Sequence, residues 1–521
     1  MPRTLLVGVR ILDPGGAAVA GPAAVEIDGD AVTWVGPAAA AAARAPGAQV
    51  LDLDGTTLTP TFVDAHVHAT SSGLLIDGLD LGGCRSAEDC LDAVAGFART
   101  HPDGVIWGHG WAQDDWVDPT PPGRAALDRA TGGRPAYLTR VDVHSALVSS
   151  ALVDRARDAV GAAGWSAAGP LTAEAHHLVR RAALGAVTRD QRDRAQRAFL
   201  GAAARAGVGT VHECAGPLVS GREDLAALLV LDTGVDVVGY WGEAVDTARD
   251  ARALLAATGA RGLAGDLFVD GSIGSRTAAL RTPYTDAPEH CGRTYLTPEA
   301  VTAHLVACST AGVQAGFHVI GDAAVDIVFD ALAAAARAVP VEMVRDARHR
   351  LEHLEMPDAA RLGLLAELGV VASVQPAFDA AWGGPAGLYS ARLGAERAAR
   401  MNPFAAFAAA GVTLAFGSDS PVTPLDPWGG VRAAVDHGTP GYGVDPATAL
   451  AAHVTGGHHA ARSTDPLAGR IVAGAPAGYA VWDGDPLAGA ATCLRTVVRG
   501  RLLHDAHGHG RGPGGLAAAG G

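Results

Sequence analysis

Two histidines separated by one residue end the run Thr-Phe-Val-Asp-Ala-His-Val-His, which extends from Thr61 to His68. A β-strand directs alternate side chains to the same face, so His66 and His68 could bind one metal ion together. A single pair of this kind is also common on surfaces and in hydrogen-bonded cores, and alone it indicates little. Its meaning depends on the donors that follow it in the chain.

Three more donors follow short apolar segments that are typical of strands: His318, His353 and Asp419. The ends of strands are where (β/α) barrels carry catalytic groups. Imidazole and carboxylate suit zinc or a related divalent ion, and a set that leaves one coordination position to water is typical of a catalytic site. The five residues together predict a divalent metal centre. We expect the metal to be zinc, bound as one or two ions.

The rest of the chain alternates apolar strand candidates with Ala-, Leu- and Arg-rich stretches of helical spacing, such as 298–311 and 323–336. Strand followed by helix, repeated eight times, predicts an α/β protein with a parallel (β/α)8 TIM barrel. The predicted barrel strands are 62–68, 209–213, 235–241, 267–270, 314–318, 349–353, 370–375 and 413–419.

The two ends of the chain differ from this middle section in their predicted secondary structure. Residues 1–59 and 462–505 are rich in short strands and turns, and they predict one small composite β-sandwich beside a barrel of residues 60–461. The section 69–205 is too long for one strand and helix, so we expect a large insertion over the barrel mouth, with strands near 105–107 and 136–141. The Gly-, His- and Ala-rich tail, residues 506–521, is predicted to be disordered.

With these motifs in place, the chain resembles the amidohydrolase superfamily, in particular the branch that contains N-substituted formamide deformylase. The resemblance covers nearly the whole length. It implies a (β/α)8 barrel, a metal-activated water and hydrolysis of a carbon–nitrogen bond other than a peptide bond. Besides the metal ligands, the segments that carry it are Gly108–Trp111, Asp142–Ser145, Leu267–Arg276, His318–Asp322 and Arg348–His353.

One departure from the superfamily pattern concerns the second metal. Many members bridge two metals with a carboxylated lysine on the fourth strand, which should fall where this chain has Asp266, and the chain contains no lysine. A carboxylate must therefore replace the carbamate if a second ion is bound. Glu213, on the second strand, is our first candidate because of its longer side chain, and Asp266 and Asp270 are alternatives. A buried carboxylate paired with arginine is an equally good interpretation of Glu213.

The same resemblance suggests a mechanism. A divalent ion held by His66, His68, His318 and Asp419 would make hydroxide available near neutral pH. Asp419 is our candidate to accept the proton of the attacking water and to deliver it to the leaving nitrogen. His353 either binds a second ion or, with one ion present, hydrogen-bonds the water and the developing oxyanion.

Four residues are predicted to contact substrate. Three of the nine tryptophans, Trp111 among them, lie within one short segment of the insertion and could form an aromatic wall. A hydrophobic cluster under a long loop is the alternative for Trp111. His144 belongs to one of the resembling motifs. Asp322 and Arg276 could orient substrate at the barrel mouth, although a structural ion pair is the favoured alternative for both.

Composition excludes several other classes of protein. The 521 residues carry a net charge of -15, which argues against a nucleic-acid partner. No segment has the length and hydrophobicity to cross a bilayer or to act as a signal peptide, and the six cysteines show no metal or redox spacing. We therefore predict a cytoplasmic protein that acts on a small molecule without a membrane partner. A homodimer is left open.

Three functions remain in competition at this stage. The first is a metal-dependent hydrolase of a non-peptide amide or formamide-like bond. The second is a mononuclear-metal deaminase of an aminated heterocycle, which the absent lysine favours. The third is a non-catalytic binding protein built on an amidohydrolase barrel, against which the retention of every ligand speaks.

Overall fold

The computed structural model describes residues 3–15, 19, 21–114, 116–141 and 145–506. His144 and residues 507–521 of the predicted disordered tail lie outside this range. The chain forms two compact units, one made of Met1–His68 with Gly201–Gly521 and the other of Ala69–Leu200. The boundaries that we predicted for the sandwich, the barrel and the insertion stay predictions.

The described residues form 21 strands. In chain order these are β1 (Thr4–Ile11), β2 (Ala23–Asp28), β3 (Ala31–Pro37), β4 (Gln49–Asp52), β5 (Thr56–Pro60), β6 (Phe62–Val67), β7 (Leu79–Asp80), β8 (Ile106–Trp111), β9 (Ala136–Arg140), β10 (Ser145–Val148), β11 (Leu171–Thr172), β12 (Val208–Ala215), β13 (Asp236–Trp241), β14 (Gly262–Leu263), β15 (Gln314–Val319), β16 (Arg350–His353), β17 (Val371–Val374), β18 (Thr413–Phe416), β19 (Tyr479–Asp483), β20 (Cys493–Val498) and β21 (Arg501–Asp505).

The α-helices are α1 (Ala69–Ile76), α2 (Ala87–Thr100), α3 (Arg124–Ala130), α4 (Ser150–Val153), α5 (Ala173–Gly185), α6 (Arg189–Arg205), α7 (Arg222–Leu229), α8 (Ala248–Thr258), α9 (Pro298–Ala311), α10 (Asp322–Ala338), α11 (Val341–Ala347), α12 (Leu362–Glu367), α13 (Pro376–Trp382), α14 (Leu388–Leu393), α15 (Ala395–Ala398), α16 (Phe404–Ala409), α17 (Pro427–Val435), α18 (Pro446–Ala451) and α19 (Gly457–Ala460). The two helices expected from apolar spacing correspond to α9 and α10. Within the described ranges, no helix combines the length and hydrophobicity that a bilayer crossing requires.

The larger unit contains the predicted barrel. Its eight strands pair in parallel in the order β6, β12, β13, β14, β15, β16, β17, β18. The ring is completed between β18 and β6, where the His68 amide donates to the Ser420 carbonyl (2.9 Å) and the Asp419 amide donates to the His66 carbonyl (2.8 Å). The seam of the barrel therefore places the two-histidine motif directly beside Asp419. The (β/α)8 fold is confirmed.

The fourth barrel strand differs from the prediction. We expected it at 267–270, but the strand is β14, only two residues long, and the segment after it pairs with β15 through one isolated bridge between Phe268 and His318. Gly265 adopts φ +81°, a conformation that interrupts a strand and that favours glycine. Asp266 is thus placed just after this break instead of ahead of a continuous strand.

The two ends of the chain share one sheet in the larger unit. Its order is β21, β20, β19, β5, β1, β2, β3, with β4 paired on β1. The antiparallel pairing of β19 with β5 joins the C-terminal strands to the N-terminal ones. Leu6, Val25, Leu58 and Val481 pack in its core. The composite β-structure formed by both termini is confirmed.

The smaller unit has its own sheet, in the order β11, β10, β9, β8, β7. The strands expected near 105–107 and 136–141 correspond to β8 and β9. Apolar side chains fill the space on both sides of this sheet. That the unit covers the barrel mouth stays a prediction.

Candidate metal centre

The predicted ligands lie where barrel strands end. His66 is on β6 and His68 follows it, His318 is on β15, His353 ends β16, and Asp419 comes after β18. All five are buried or nearly so. Their rings meet: the centroids of His66 and His353 are 5.0 Å apart, and those of His318 and His353 are 4.4 Å apart. Residues far apart in the sequence thus converge at one point.

Asp266 lies at the centre of this group. Its Oδ1 is 3.5 Å from His66 Nε2, 3.6 Å from His318 Nδ1 and 3.7 Å from His353 Nε2. Its Oδ2 is 3.2 Å from His68 Nε2. One carboxylate therefore faces all four imidazoles, with a different oxygen toward His68 than toward the other three.

Asp419 completes the group on the side of the barrel seam. Its Oδ1 is 3.1 Å from His68 Nε2 and 3.7 Å from His66 Nε2. Of the three sets of described residues that meet the spacing of a metal site, two lie in this group: His66 with Asp266 and His353, and His66 with His68 and Asp419. His66 belongs to both sets, so the two potential sites adjoin.

The donor atoms fit a divalent ion. Within the described part of the chain, His66 Nε2, His318 Nδ1, Asp266 Oδ1 and Asp419 Oδ1 are buried and have no hydrogen-bond partner. Buried polar atoms normally have partners, so four facing one another require an explanation. Ligand bonds of about 2.1 Å in tetrahedral geometry separate donor atoms by roughly 3.4 Å, close to the spacings found here. A bound cation would satisfy all four.

The charges of the site also favour a cation. Burial alone would raise the pKa of Asp266, but the charge of His66 and contacts with His318, His353 and His68 hold it well below its usual range. Burial likewise opposes ionisation of Asp419, and His66 and His68 outweigh it, so its pKa is lowered. Both carboxylates are therefore ionised and available as ligands.

Three of the ligand imidazoles are oriented by a contact at their other nitrogen. His66 Nδ1 is 3.0 Å from Glu352 Oε2, His353 Nδ1 is 2.8 Å from Gln375 Oε1, and His318 Nε2 is 3.3 Å from the Gly271 carbonyl. Because each acceptor requires an N–H, these contacts select the tautomer that turns a lone pair to the centre. Glu352 and Gln375 were not among the functional residues predicted from the sequence.

Behind His66, Glu352 is paired with Arg350, and both are completely buried. Burial would raise the pKa of Glu352, but Arg350 and His66 hold it well below its usual range. The Arg350 guanidinium also donates to the Ala65 carbonyl (2.6 Å) and to Ser373 Oγ (2.9 Å). Arg350 and Glu352 therefore form a rigid ionic support for the first ligand.

Replacing Glu352 with glutamine should weaken metal binding by about 10- to 100-fold, because the amide cannot hold the His66 tautomer as an ionised carboxylate does. Competition with a metallochromic chelator would measure the affinity. Glu367→Gln, which removes a carboxylate at an exposed position, is the matched control. Unchanged affinity in Glu352→Gln would show that the contact with His66 is incidental.

The chain is similar to proteins that are already known. The family model described as "Amidohydrolase family" matches residues 49–504. This chain belongs to the amidohydrolase family. Relatives of this amidohydrolase include the protein LONG AFTER FAR-RED 3 of Arabidopsis thaliana, 27% identical over 75% of this chain and 70% of the relative. The N-substituted formamide deformylase of Arthrobacter pascens is 24% identical over 89% of this chain and 91% of its own length.

A solved structure agrees with the fold and with the metal dependence. An uncharacterized metal-dependent hydrolase from Pyrococcus furiosus is 26% identical, with a TM-score of 0.76, over 93% of this chain and 100% of its own. The amidohydrolase is accordingly a metal-dependent hydrolase that acts on carbon–nitrogen bonds. The identification as a member of the superfamily is confirmed.

Glu213, our first candidate for the bridging carboxylate, belongs to none of the described sets of residues with metal-ligand spacing, and its role as a ligand stays a prediction. Cys214 lies with His66 and Glu352, and side chains alternate along β12, so Glu213 points to the opposite face of the strand. Asp270, the third candidate, accepts backbone hydrogen bonds from Ala279, Ile320 and Gly321 at 2.8 to 3.0 Å. Of the three candidates, the structure places Asp266 among the ligands.

The predicted substrate-contacting residues have structural partners. Trp111 is fully buried in the core of the smaller unit, and its indole N–H donates to the Leu138 carbonyl (2.9 Å), which favours the hydrophobic-cluster alternative. Arg276 pairs with Asp286 (2.7 Å), and Asp322 Oδ1 accepts from the Arg281 amide (2.9 Å). Substrate contact by these residues, and by His144 outside the described range, stays a prediction.

Proposed function

We propose that this amidohydrolase hydrolyses a non-peptide amide of the formamide class with the help of a divalent ion, zinc being our candidate. The observation that carries the proposal is the group of donors around Asp266, in which four buried atoms have no hydrogen-bond partner within the described chain: His66 Nε2, His318 Nδ1, Asp266 Oδ1 and Asp419 Oδ1. The likeness to an N-substituted formamide deformylase over most of both chains supports the choice of substrate class.

We propose six residues as ligands of the ion, and the distances between them support this choice: His66, His68, His318, His353, Asp266 and Asp419. When bound, a divalent ion supplies Lewis-acid activation of water and of the amide carbonyl. We assign to Asp266 the place of the carboxylated lysine, because its two oxygens face different histidines. Two adjoining ions are the arrangement that this placement favours.

The proposed proton carrier is Asp419. Water adds to the carbonyl carbon, the carbon–nitrogen bond breaks, and the proton that the water loses must reach the leaving nitrogen. Asp419 Oδ1 lies beside His66 and His68, and Asp419 has φ +54°, so the backbone turns this carboxylate toward them. An N-substituted formamide would give formate and an amine.

Metal removal tests the proposal. Protein purified without chelator should release amine and formate from N-substituted formamides, lose at least about 100-fold of this activity on dialysis against chelator, and recover it with a divalent ion. Elemental analysis of the same samples gives the metal and its count. Full activity without bound metal would contradict the proposal. Ammonia release from aminated heterocycles, without formamide turnover, would favour the deaminase. The cytoplasmic location and the homodimer stay predictions.

A further inference from the structure

A second buried polar group lies next to the metal ligands. Glu355 follows β16 two residues after His353, Tyr389 is in α14, and Asn402 precedes α16. They are 3%, 2% and 2% exposed. The Asn402 amide donates to the Glu355 carbonyl (2.8 Å), which holds these two loops side by side. Nothing in the catalytic scheme above uses these three side chains.

All three side chains carry a polar atom without a hydrogen-bond partner among the described residues: Glu355 Oε2, the Tyr389 hydroxyl and Asn402 Nδ2. The Tyr389 hydroxyl lies next to the Glu355 carboxylate, and the Asn402 side chain lies next to Tyr389, but neither pair reaches hydrogen-bond geometry. Leaving such atoms unpaired is costly. Two of them, Glu355 Oε2 and the Tyr389 oxygen, can accept a hydrogen bond from a ligand, whereas Asn402 Nδ2 can only donate one.

The charge of the ligand follows from what surrounds Glu355. No arginine of the described chain pairs with this carboxylate, and the chain contains no lysine. The described residues therefore supply Glu355 with no cation other than the neighbouring histidines of the metal centre. A buried carboxylate is stable when a positive group meets it, so the complementary ligand is a cation that donates hydrogen bonds.

Aromatic rings connect this group to the metal centre. The Phe378 ring is stacked on His353, with centroids 5.9 Å apart and planes 8° apart. Trp382 contacts Phe378 at 4.7 Å and Tyr389 at 6.2 Å between centroids. Trp382 is half-buried, so this layer reaches the surface. Aromatic faces attract cations and also accept apolar groups.

We propose that Glu355 and Tyr389 form a substrate subsite that binds a protonated amino group on the N-substituent of the amide, with Phe378 and Trp382 as its walls and with the Asn402 backbone amide fixing the Glu355 loop. This inference rests on the proposed function, because it extends the substrate from the amide at the metal to a positive group beyond it. The substrate class is thus an N-substituted amide whose substituent is aromatic or apolar and ends in an ammonium.

Binding of two matched probes tests the subsite without requiring turnover. Benzylamine, which is protonated at neutral pH, and benzyl alcohol are similar in size and differ in charge. Isothermal titration calorimetry on the metal-loaded enzyme should show at least about tenfold tighter binding of the amine, the expected contribution of a charged hydrogen bond. In Glu355→Gln this preference should fall below about threefold. Glu342→Gln, at an exposed helix position, should retain it.

Two results would overturn the inference. One is equal affinity of the wild-type enzyme for amine and alcohol. The other is an amine preference that persists in Glu355→Gln, which would mean that the amine binds the metal or another carboxylate. If Glu355→Gln loses its metal or its thermal transition, Trp382→Leu is tested instead. The subsite would be rejected if the preference of Trp382→Leu for the amine is less than about threefold below that of the wild type.

Hydrolysis assays on the same samples separate this inference from the proposed function. N-benzylformamide and its 4-aminomethyl derivative form the substrate pair. If neither is hydrolysed while the amine preference holds, the proposed reaction is rejected and the subsite stands. If both are hydrolysed with equal kcat/KM and benzylamine shows no preference, the subsite alone is rejected.

Discussion

Asp266→Ala should remove bound metal from this enzyme and lower kcat/KM by about 10³-fold or more, a change of about 4 kcal/mol in the barrier. Its carboxylate is the only group among the described residues that faces all four histidines of the centre. Without it, the set of His66, Asp266 and His353 loses its anionic ligand, and Asp419 remains as the carboxylate that faces His66 and His68. Elemental analysis and formamide hydrolysis, measured on one preparation, would record both losses.

Glu213→Gln is the control for this prediction, since Glu213 is a buried carboxylate of the same barrel that belongs to none of the described sets with metal-ligand spacing. We expect its metal count to equal that of the wild type. The assignment of Asp266 fails if Asp266→Ala keeps its full complement of metal while Glu213→Gln loses an ion. A loss in both variants would mean that unfolding, not ligation, governs the metal content.

Arg350→Met should lower the free energy of unfolding by about 3–5 kcal/mol, the usual cost of leaving one partner of a buried ion pair uncompensated. The substitution leaves Glu352 ionised inside the barrel, next to His66. It also removes a guanidinium that lies 4.2 Å from the centroid of the Tyr240 ring. Urea denaturation of the metal-free protein would measure the change, because bound metal would mask it.

Two further variants show whether the loss of stability in Arg350→Met comes from the buried ion pair. In Arg350→Met/Glu352→Gln the orphaned charge is removed together with its partner, so we expect a smaller loss of stability than in Arg350→Met alone. Arg400→Met breaks an exposed pair with Glu396 and should cost less than about 1 kcal/mol. A change below about 1 kcal/mol in Arg350→Met would show that Arg350 and Glu352 are not coupled as described.

The convergence of the candidate metal ligands could be predicted because their sequence signals are local. The alternation of His66 and His68 and the position of His318, His353 and Asp419 after apolar segments are visible in the sequence. Asp266 was ranked below Glu213 because the glutamate side chain is longer. The position of Asp266 depends on a two-residue strand and a break at Gly265, which the sequence did not indicate. Apolar patterning cannot indicate so short a strand, and barrel register is not encoded in any one segment.

The supporting residues depend on pairing between strands. Glu352 stands opposite His318 on one side and Ser373 on the other in the barrel register. Its contact with His66 crosses the barrel and joins residues 286 positions apart. From the sequence Glu352 was visible only as a neighbour of His353. The composition of its segment could not show which ligand it would support.

The seam between β6 and β18 determines when, during synthesis and folding, the metal ligands come together. Ser418 donates to Asp64 across 354 positions of sequence, and the adjoining backbone bonds bring His66 against Asp419. A chain emerging from the ribosome carries the first ligands long before the last one has been synthesised. Capture of the ion is therefore among the final events of folding, and the captured ion then opposes reopening of the ring.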